Sequence, residues 1–237
     1  MIDIKELAPI EQFISNYLCE FDKQLPEIES NILDTNIIEI LKAGWCTISK
    51  NSVWYLKNYR ANTGNDENIF PIPYCELCFA CRILMETSSD VWYLLRKDNK
   101  FEIEKFLSEK KALENDFEST IKNISGTDYP KNYSLQKGTM KRIEECYREQ
   151  GLAHYNSLCW NTHFNYVGYT IIKNELLTYK LRIYNLLFLI ETINKFFDSI
   201  KEICCLEKYT ILTKIRDGSD EVADRIKKLI RKENKNV

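Results

Sequence analysis

From Ile69 to Met85 the chain reads IFPIPYCELCFACRILM, and Arg82 is the only charge between Glu76 and Glu86. A helix this apolar belongs in a protein interior, where an uncompensated guanidinium costs several kcal/mol. Glu86 lies four residues on, one turn along the same helix face, so the two side chains can pair. Two readings stay open. The pair is a structural ion bridge, or it orients a third group and so forms part of a working pocket.

His163 is the first candidate for that third group. In the stretch YNSLCWNTHFNY, which begins at Tyr155, residues Tyr155, Cys159 and His163 recur at four-residue spacing and share a helix face. An imidazole there can act as a general acid or base, or sit as a hydrogen-bonded core histidine. Glu191, isolated in LFLIETINKFF, is an acid that could reach either Arg82 or His163. The same residues resemble a bacterial family of uncharacterised helical proteins. Its pattern is matched by Arg82-Ile-Leu-Met-Glu86, by Trp92-Tyr93-Leu94-Leu95, and by Tyr155, Leu158, Cys159 and His163 at Y-x-x-L-[SC]-x-x-x-H spacing. The likeness spans about 75–170, with Cys159 in place of the usual serine. It implies one constellation of Arg82, Glu86, Tyr155 and His163.

The other histidine, His154, follows Arg148 in REQGLAH, and Gly151 between them would permit a chain reversal. An Arg and a His at this spacing across a helix end resemble the active motif of the HEPN superfamily, small helical and often dimeric RNases and nucleotide-binding domains. Glu149 stands where those motifs tend to carry Asn, Asp or His. The resemblance implies metal-independent RNA cleavage. His154 would act on the ribose 2′-hydroxyl and leaving group, and Arg148 would stabilise phosphate charge.

Other spacings lead nowhere as sharp. Cys75, Cys78 and Cys81 form C-x-x-C-x-x-C, but positions i, i+3 and i+6 of one helix spread around it and cannot all reach a tetrahedral ion. They read as small apolar core residues, as do Cys204 and Cys205. The C-terminal basic run from Arg225 to Lys235 reads as the solvated face of a last helix, with contact to phosphate as the alternative. No phosphate-binding glycine loop, dinucleotide fingerprint or nucleophile elbow occurs, so no cofactor and no metal is expected.

The elements that must position these residues are helices. The chain has 237 residues, of which 44% are hydrophobic and 29% charged, with only 7 Gly and 5 Pro. So few turn residues exclude an all-β chain and favour long helices. Periodicity predicts helices over 3–25, 32–41 (closed by Gly44), 74–97, 101–124, 139–150 (stopped at Gly151), 155–173, 174–205 and 220–232. A short helix or turn-rich connection is expected at 52–59, loops at 61–67 and 125–138, and a turn at Asp217-Gly218-Ser219. The expected fold is an all-α bundle of roughly seven to nine helices. It forms a single domain over 1–237, with 125–138 as the only candidate division.

A net charge of −2 gives no global pull toward nucleic acid or membrane. The acidic start MIDIKELAPIEQF is no signal peptide, and no apolar run is long enough to cross a bilayer. A reducing, cytoplasmic setting with nine free cysteines is the expectation. The function expected is a HEPN-like RNA-directed protein, a metal-independent ribonuclease or RNA-binding effector in bacterial defence or toxin–antitoxin biology. Its partners would be RNA and a second copy of the chain. The alternative is a non-catalytic helical module that binds a protein partner.

Overall fold

A computed structural model describes residues 4–59, 74–96, 99–115, 138–162, 175–201, 203 and 208–234. These form seven helices and no strand: α1 (Ile4–Ser30), α2 (Thr35–Asn58), α3 (Tyr74–Leu94), α4 (Lys100–Asn115), α5 (Thr139–Thr162), α6 (Glu175–Lys201) and α7 (Thr210–Asn234). The architecture is an all-α bundle. Apolar residues from all seven helices meet in one buried cluster. On α1, for example, Leu7, Ile10, Ile14, Tyr17, Leu18 and Phe21 recur at three- and four-residue steps and are all buried, which is the stripe a helix lays against a core. The helix α3 is central. It packs against α2, α5 and α6, while α7 covers α6 and α1. Among the described residues no helix is long and apolar enough to cross a membrane. Six described cysteines are free thiols: Cys19, Cys46, Cys78, Cys81, Cys146 and Cys159.

Several boundaries differ from those read in the sequence (the first helix runs on through Pro26 to Ser30), and three differ for a clear local reason. Gly44 does not close a helix. It lies inside α2, buried, and a Cβ there would stand 2.5 Å from Val91 Cγ2 and 3.1 Å from Phe196 Cε2. The missing side chain lets α2 come close to α3 and α6, and α2 runs on through 52–58 from its N-cap at Asp34, whose carboxylate accepts from the Asn36 amide at 2.9 Å.

The Asp217-Gly218-Ser219 turn is likewise absorbed, into α7. Ser219 is fully buried, its hydroxyl donates to the Arg216 carbonyl at 2.6 Å, and it accepts from Asn194 Nδ2 at 2.9 Å. Arg216 in turn reaches Asp198 at 3.3 Å. These ties between α6 and α7 outweigh the cost of about 1 kcal/mol for one glycine in a helix.

The chain does bend near Gly151, but at Arg148, whose φ of 60° and ψ of −169° interrupt α5. It is the only non-glycine residue with positive φ among those described.

Candidate functional site

Arg82, Glu86 and Tyr155 converge where α3 and α5 pack antiparallel. Arg82 Nε donates to Glu86 Oε1 at 2.8 Å, and the Tyr155 hydroxyl donates to the same oxygen at 2.5 Å. The guanidinium carbon lies 6.0 Å from the centroid of the Tyr155 ring. One carboxylate oxygen thus links a cation on its own helix to a phenol on the next. The carboxylate bond strengthens the positive charge, and Arg82 holds its proton beyond its already high ordinary pKa. Burial pushes the Tyr155 phenol up, helped by the hydrogen bond to Glu86, so it stays neutral. Tyr155 itself is buried, whereas the Arg82 and Glu86 side chains remain 28% and 29% exposed. Among the described residues the hydrogen bond of the guanidinium is made through Nε, to Glu86.

Two exposed aromatics lie on these helices. Phe79, three residues before Arg82 and on the same face of α3, is 54% exposed, and Trp160, next to Cys159 on α5, is 60% exposed. Cys159 is half-buried one turn beyond Tyr155. His163, the next residue in that series, lies outside the described residues.

The other pair is arranged differently. His154 is 9% exposed and stacks on Phe188 of α6, with ring centroids 3.6 Å apart and planes within 8°. Tyr184 meets it edge-on at 5.5 Å. Its Nε2 is buried without a partner. Burial lowers its pKa from 6.5 to about 3, so the ring is neutral at physiological pH. Arg148, at the bend of α5, is exposed, and no hydrogen bond or ion pair holds it among the described residues. The structure therefore brings Arg82, Glu86 and Tyr155 together, and gives Arg148 and His154 opposite surroundings, one in water and one sealed. Glu191 does not pair with Arg82, and its other expected partner, His163, lies outside the described residues. Glu191 lines a groove between α5, α6 and α7.

Other buried polar groups were not singled out from the sequence. Arg142 of α5 is nearly buried and donates through Nε to Asp90 of α3 at 2.7 Å. Burial raises the Asp90 carboxyl, and the Arg142 charge and hydrogen bond pull it back. Tyr147 is hydrogen-bonded to Ser88 and donates to Thr192 Oγ1 at 3.2 Å, so it ties α5 to α3 and α6. Arg182, 3% exposed on α6, donates to the Tyr59 carbonyl at the end of α2, and the Tyr55 hydroxyl donates to the Arg182 carbonyl. Arg182 stands in the apolar run LLTYKLRIYNLLFLI, but with Lys180 two residues before it, so it is less isolated there than Arg82.

Among the described residues no cluster of three or more His, Cys, Asp or Glu is placed to hold a metal ion. Compared with protein-family models, with curated proteins and with solved structures, the chain finds no match.

Proposed function

We propose that this chain is an RNA-directed effector in which Arg82 anchors a backbone phosphate. The observation that carries the reading is the relay from Tyr155 through Glu86 to Arg82. An arginine fixed through Nε by a carboxylate presents its two Nη groups as a preorganised fork, the geometry that suits a phosphate. The phenol holds the carboxylate, so the fork loses little freedom on binding. The exposed ring of Phe79, on the Arg82 face of α3, supplies a stacking surface of the kind single-stranded bases use beside a cation. If the chain also cleaves RNA, proton transfer falls to His163 rather than His154, because the His154 Nε2 is sealed from solvent and without a partner. A HEPN-like ribonuclease in bacterial defence or toxin–antitoxin biology is the catalytic form of this reading, with a second copy of the chain as its partner.

The test is fluorescence anisotropy of a labelled single-stranded RNA with wild type and Arg82→Ala, together with gels of RNA incubated with wild type, His163→Ala and His154→Phe. Arg82→Ala should weaken binding about tenfold and lower the salt slope by about one, the signature of one lost phosphate contact. Unchanged affinity and slope would remove the proposal. Cleavage lost in His163→Ala and kept in His154→Phe supports the catalytic form. Equal cleavage by all three, or none by any, leaves binding alone.

A second reading, a protein-interaction module, draws on the same exposed Phe79 and Trp160. It predicts that Phe79→Ser and Trp160→Ser abolish partner capture while Arg82→Ala does not.

A further inference from the structure

The helix α7 packs one face on α6 and α1 and turns the other to solvent. That outer face is sorted by charge. From Asp217 to Asp224 the exposed residues are Asp217, Asp220, Glu221 and Asp224, all acids. From Arg225 to Arg231 they are Arg225, Lys227, Lys228 and Arg231, all cations. The sign changes between two consecutive residues, Asp224 and Arg225.

The helix by itself does not account for this order. A helix dipole favours acids in the first turn and cations in the last, and the effect fades within those turns. The first turn of α7 holds no acid, and the acids begin only at Asp217, well inside the helix. Sorting also sets like charges at four-residue steps, Asp217 before Glu221 and Lys227 before Arg231, where they repel one another along the helix. Few of these charges are compensated. Asp220 stands 4.0 Å from Arg216, and Asp224 stands 3.5 Å from Lys227. Asp217, Glu221, Arg225, Lys228 and Arg231 have no ion pair among the described residues. An order that works against the isolated helix is compensated from outside it.

The same order selects the partner. An RNA strand or an anionic membrane would be drawn to the basic half of the stripe and repelled by the acidic half. A uniformly basic partner would fail the other way. What the stripe complements is its own sequence run in the opposite direction. About a two-fold axis between Asp224 and Arg225, Asp224 meets Arg225 of a second copy, Glu221 meets Lys228, and Asp217 meets Arg231, each pair occurring twice. The spacing agrees. At about 1.5 Å per residue, Glu221 and Lys228 each lie about 5 Å from the axis, and Asp217 and Arg231 lie about 11 Å and 10 Å from it.

We propose that α7 is the surface through which two copies of this chain pair, antiparallel and two-fold symmetric, by exchanging these ion pairs. The pairing gives the second copy of the catalytic reading a surface, yet it stands apart from the phosphate anchor, because Arg82 lies on α3. Exposed ion pairs are individually weak and screened by salt, so the dimer is reversible and salt-sensitive.

Sedimentation velocity of the full chain, over a concentration series up to its solubility limit, tests this. Wild type should pass from monomer to dimer. Its Kd should rise at least about tenfold between about 0.1 M and about 1 M salt, as the screening length falls from about 10 Å to about 3 Å. Glu221→Lys/Asp224→Lys makes the centre of the stripe basic, and Arg225→Glu/Lys228→Glu makes it acidic. All four positions are exposed, and circular dichroism checks that both variants fold. Each variant alone should stay monomeric where wild type dimerises, because like charges then face each other across the axis. An equal mixture of the two should form dimers again, since lysines of one then face glutamates of the other. A role of these side chains inside one chain would give no such rescue. Arg82→Ala should dimerise as wild type does, so failure of the phosphate anchor and failure of this surface give different results. A wild type that stays monomeric, a dimer that persists in both variants, or a mixture that remains monomeric would overturn the proposal. So would a monomer that captures single-stranded RNA through the cations of α7.

Discussion

His154 and Tyr155 are adjacent in the chain and face different neighbours of α5: the imidazole stacks 3.6 Å from Phe188 of α6, and the phenol hydroxyl lies 2.5 Å from Glu86 of α3. Consecutive helical residues point about 100° apart, so one helix serves two surroundings. On the α3 side a neutral phenol steadies a carboxylate that holds a half-exposed cation. On the α6 side a neutral imidazole behaves as an aromatic core residue. The residue type most often tied to proton transfer is thus the more inert of the two, because burial has taken away its charged form.

Acid should expose that burial. His154 is held neutral in the folded chain, with a pKa lowered from 6.5 to about 3. Below about pH 6.5 the unfolded chain takes up a proton that the folded chain refuses. The stability contributed here is complete above that pH and is lost on acidification toward about pH 3, at about 1.4 kcal/mol per pH unit. Urea unfolding at pH 7 and pH 5 should show wild type losing more stability than His154→Phe, which keeps the stack with Phe188 and cannot titrate. Equal losses in the two proteins would mean that His154 is not the group responsible.

Tyr155→Phe deletes the hydroxyl that fixes Glu86 and leaves the buried ring. Its stability cost should be about 1 kcal/mol, that of one hydrogen bond to a partly exposed acceptor. Glu86→Gln should interact with it, so that the double variant loses less than the sum of the singles by about 0.5 kcal/mol or more. If Arg82 anchors phosphate, Tyr155→Phe should also weaken RNA binding, by less than Arg82→Ala does. Strict additivity in unfolding titrations would break the relay into unrelated parts.

Gly44→Ala tests the close approach of α2 to α3 and α6. The added methyl would sit 2.5 Å from Val91 Cγ2. Helix propensity alone would reward alanine, yet overpacking a core costs about 1–3 kcal/mol, so the melting temperature should fall. Val91→Ala should destabilise wild type through a cavity but partly rescue Gly44→Ala by making room. A rise in melting temperature in Gly44→Ala would show that the three helices can part without cost.

The helical class was legible because periodicity and scarce turn residues depend only on local sequence, and the Arg82–Glu86 pair because four-residue spacing fixes a shared face. Gly44 and Asp217-Gly218-Ser219 misled for one reason. Both are turn signals overruled by contacts distant in sequence, Val91 and Phe196 for the first, Asn194 and Asp198 for the second. The convergence of Glu86 with Tyr155 spans 69 residues and was reached through motif resemblance rather than spacing. The α5–α6–α7 groove left no sequence signal, because its residues are ordinary surface types until two antiparallel helices align them. His163 lies outside the described residues, and its place beside Arg82 stays an expectation from the register of Tyr155 and Cys159.

Arg148→Gly separates conformational strain from function at one position. With φ at 60° and ψ at −169°, Arg148 occupies backbone space that is essentially glycine's, at a cost of about 1–3 kcal/mol for another residue. Glycine removes that strain and adds about 0.5–1 kcal/mol of unfolded-state entropy, so the net gain is about 1 kcal/mol. Because Arg148 is exposed and makes no ion pair among the described residues, little interaction energy is lost with its side chain. For a chain of this size the melting temperature should rise by about 2–4 °C. Arg148→Ala keeps the strain and should melt near wild type, so the order glycine above alanine and arginine identifies the backbone as the cause. If the exposed guanidinium also contacts RNA, as the HEPN-like motif implies, Arg148→Gly becomes a more stable protein that binds RNA more weakly. A fall in melting temperature for the glycine variant alone would show that the bend at Arg148 is held by its side chain rather than endured by its backbone.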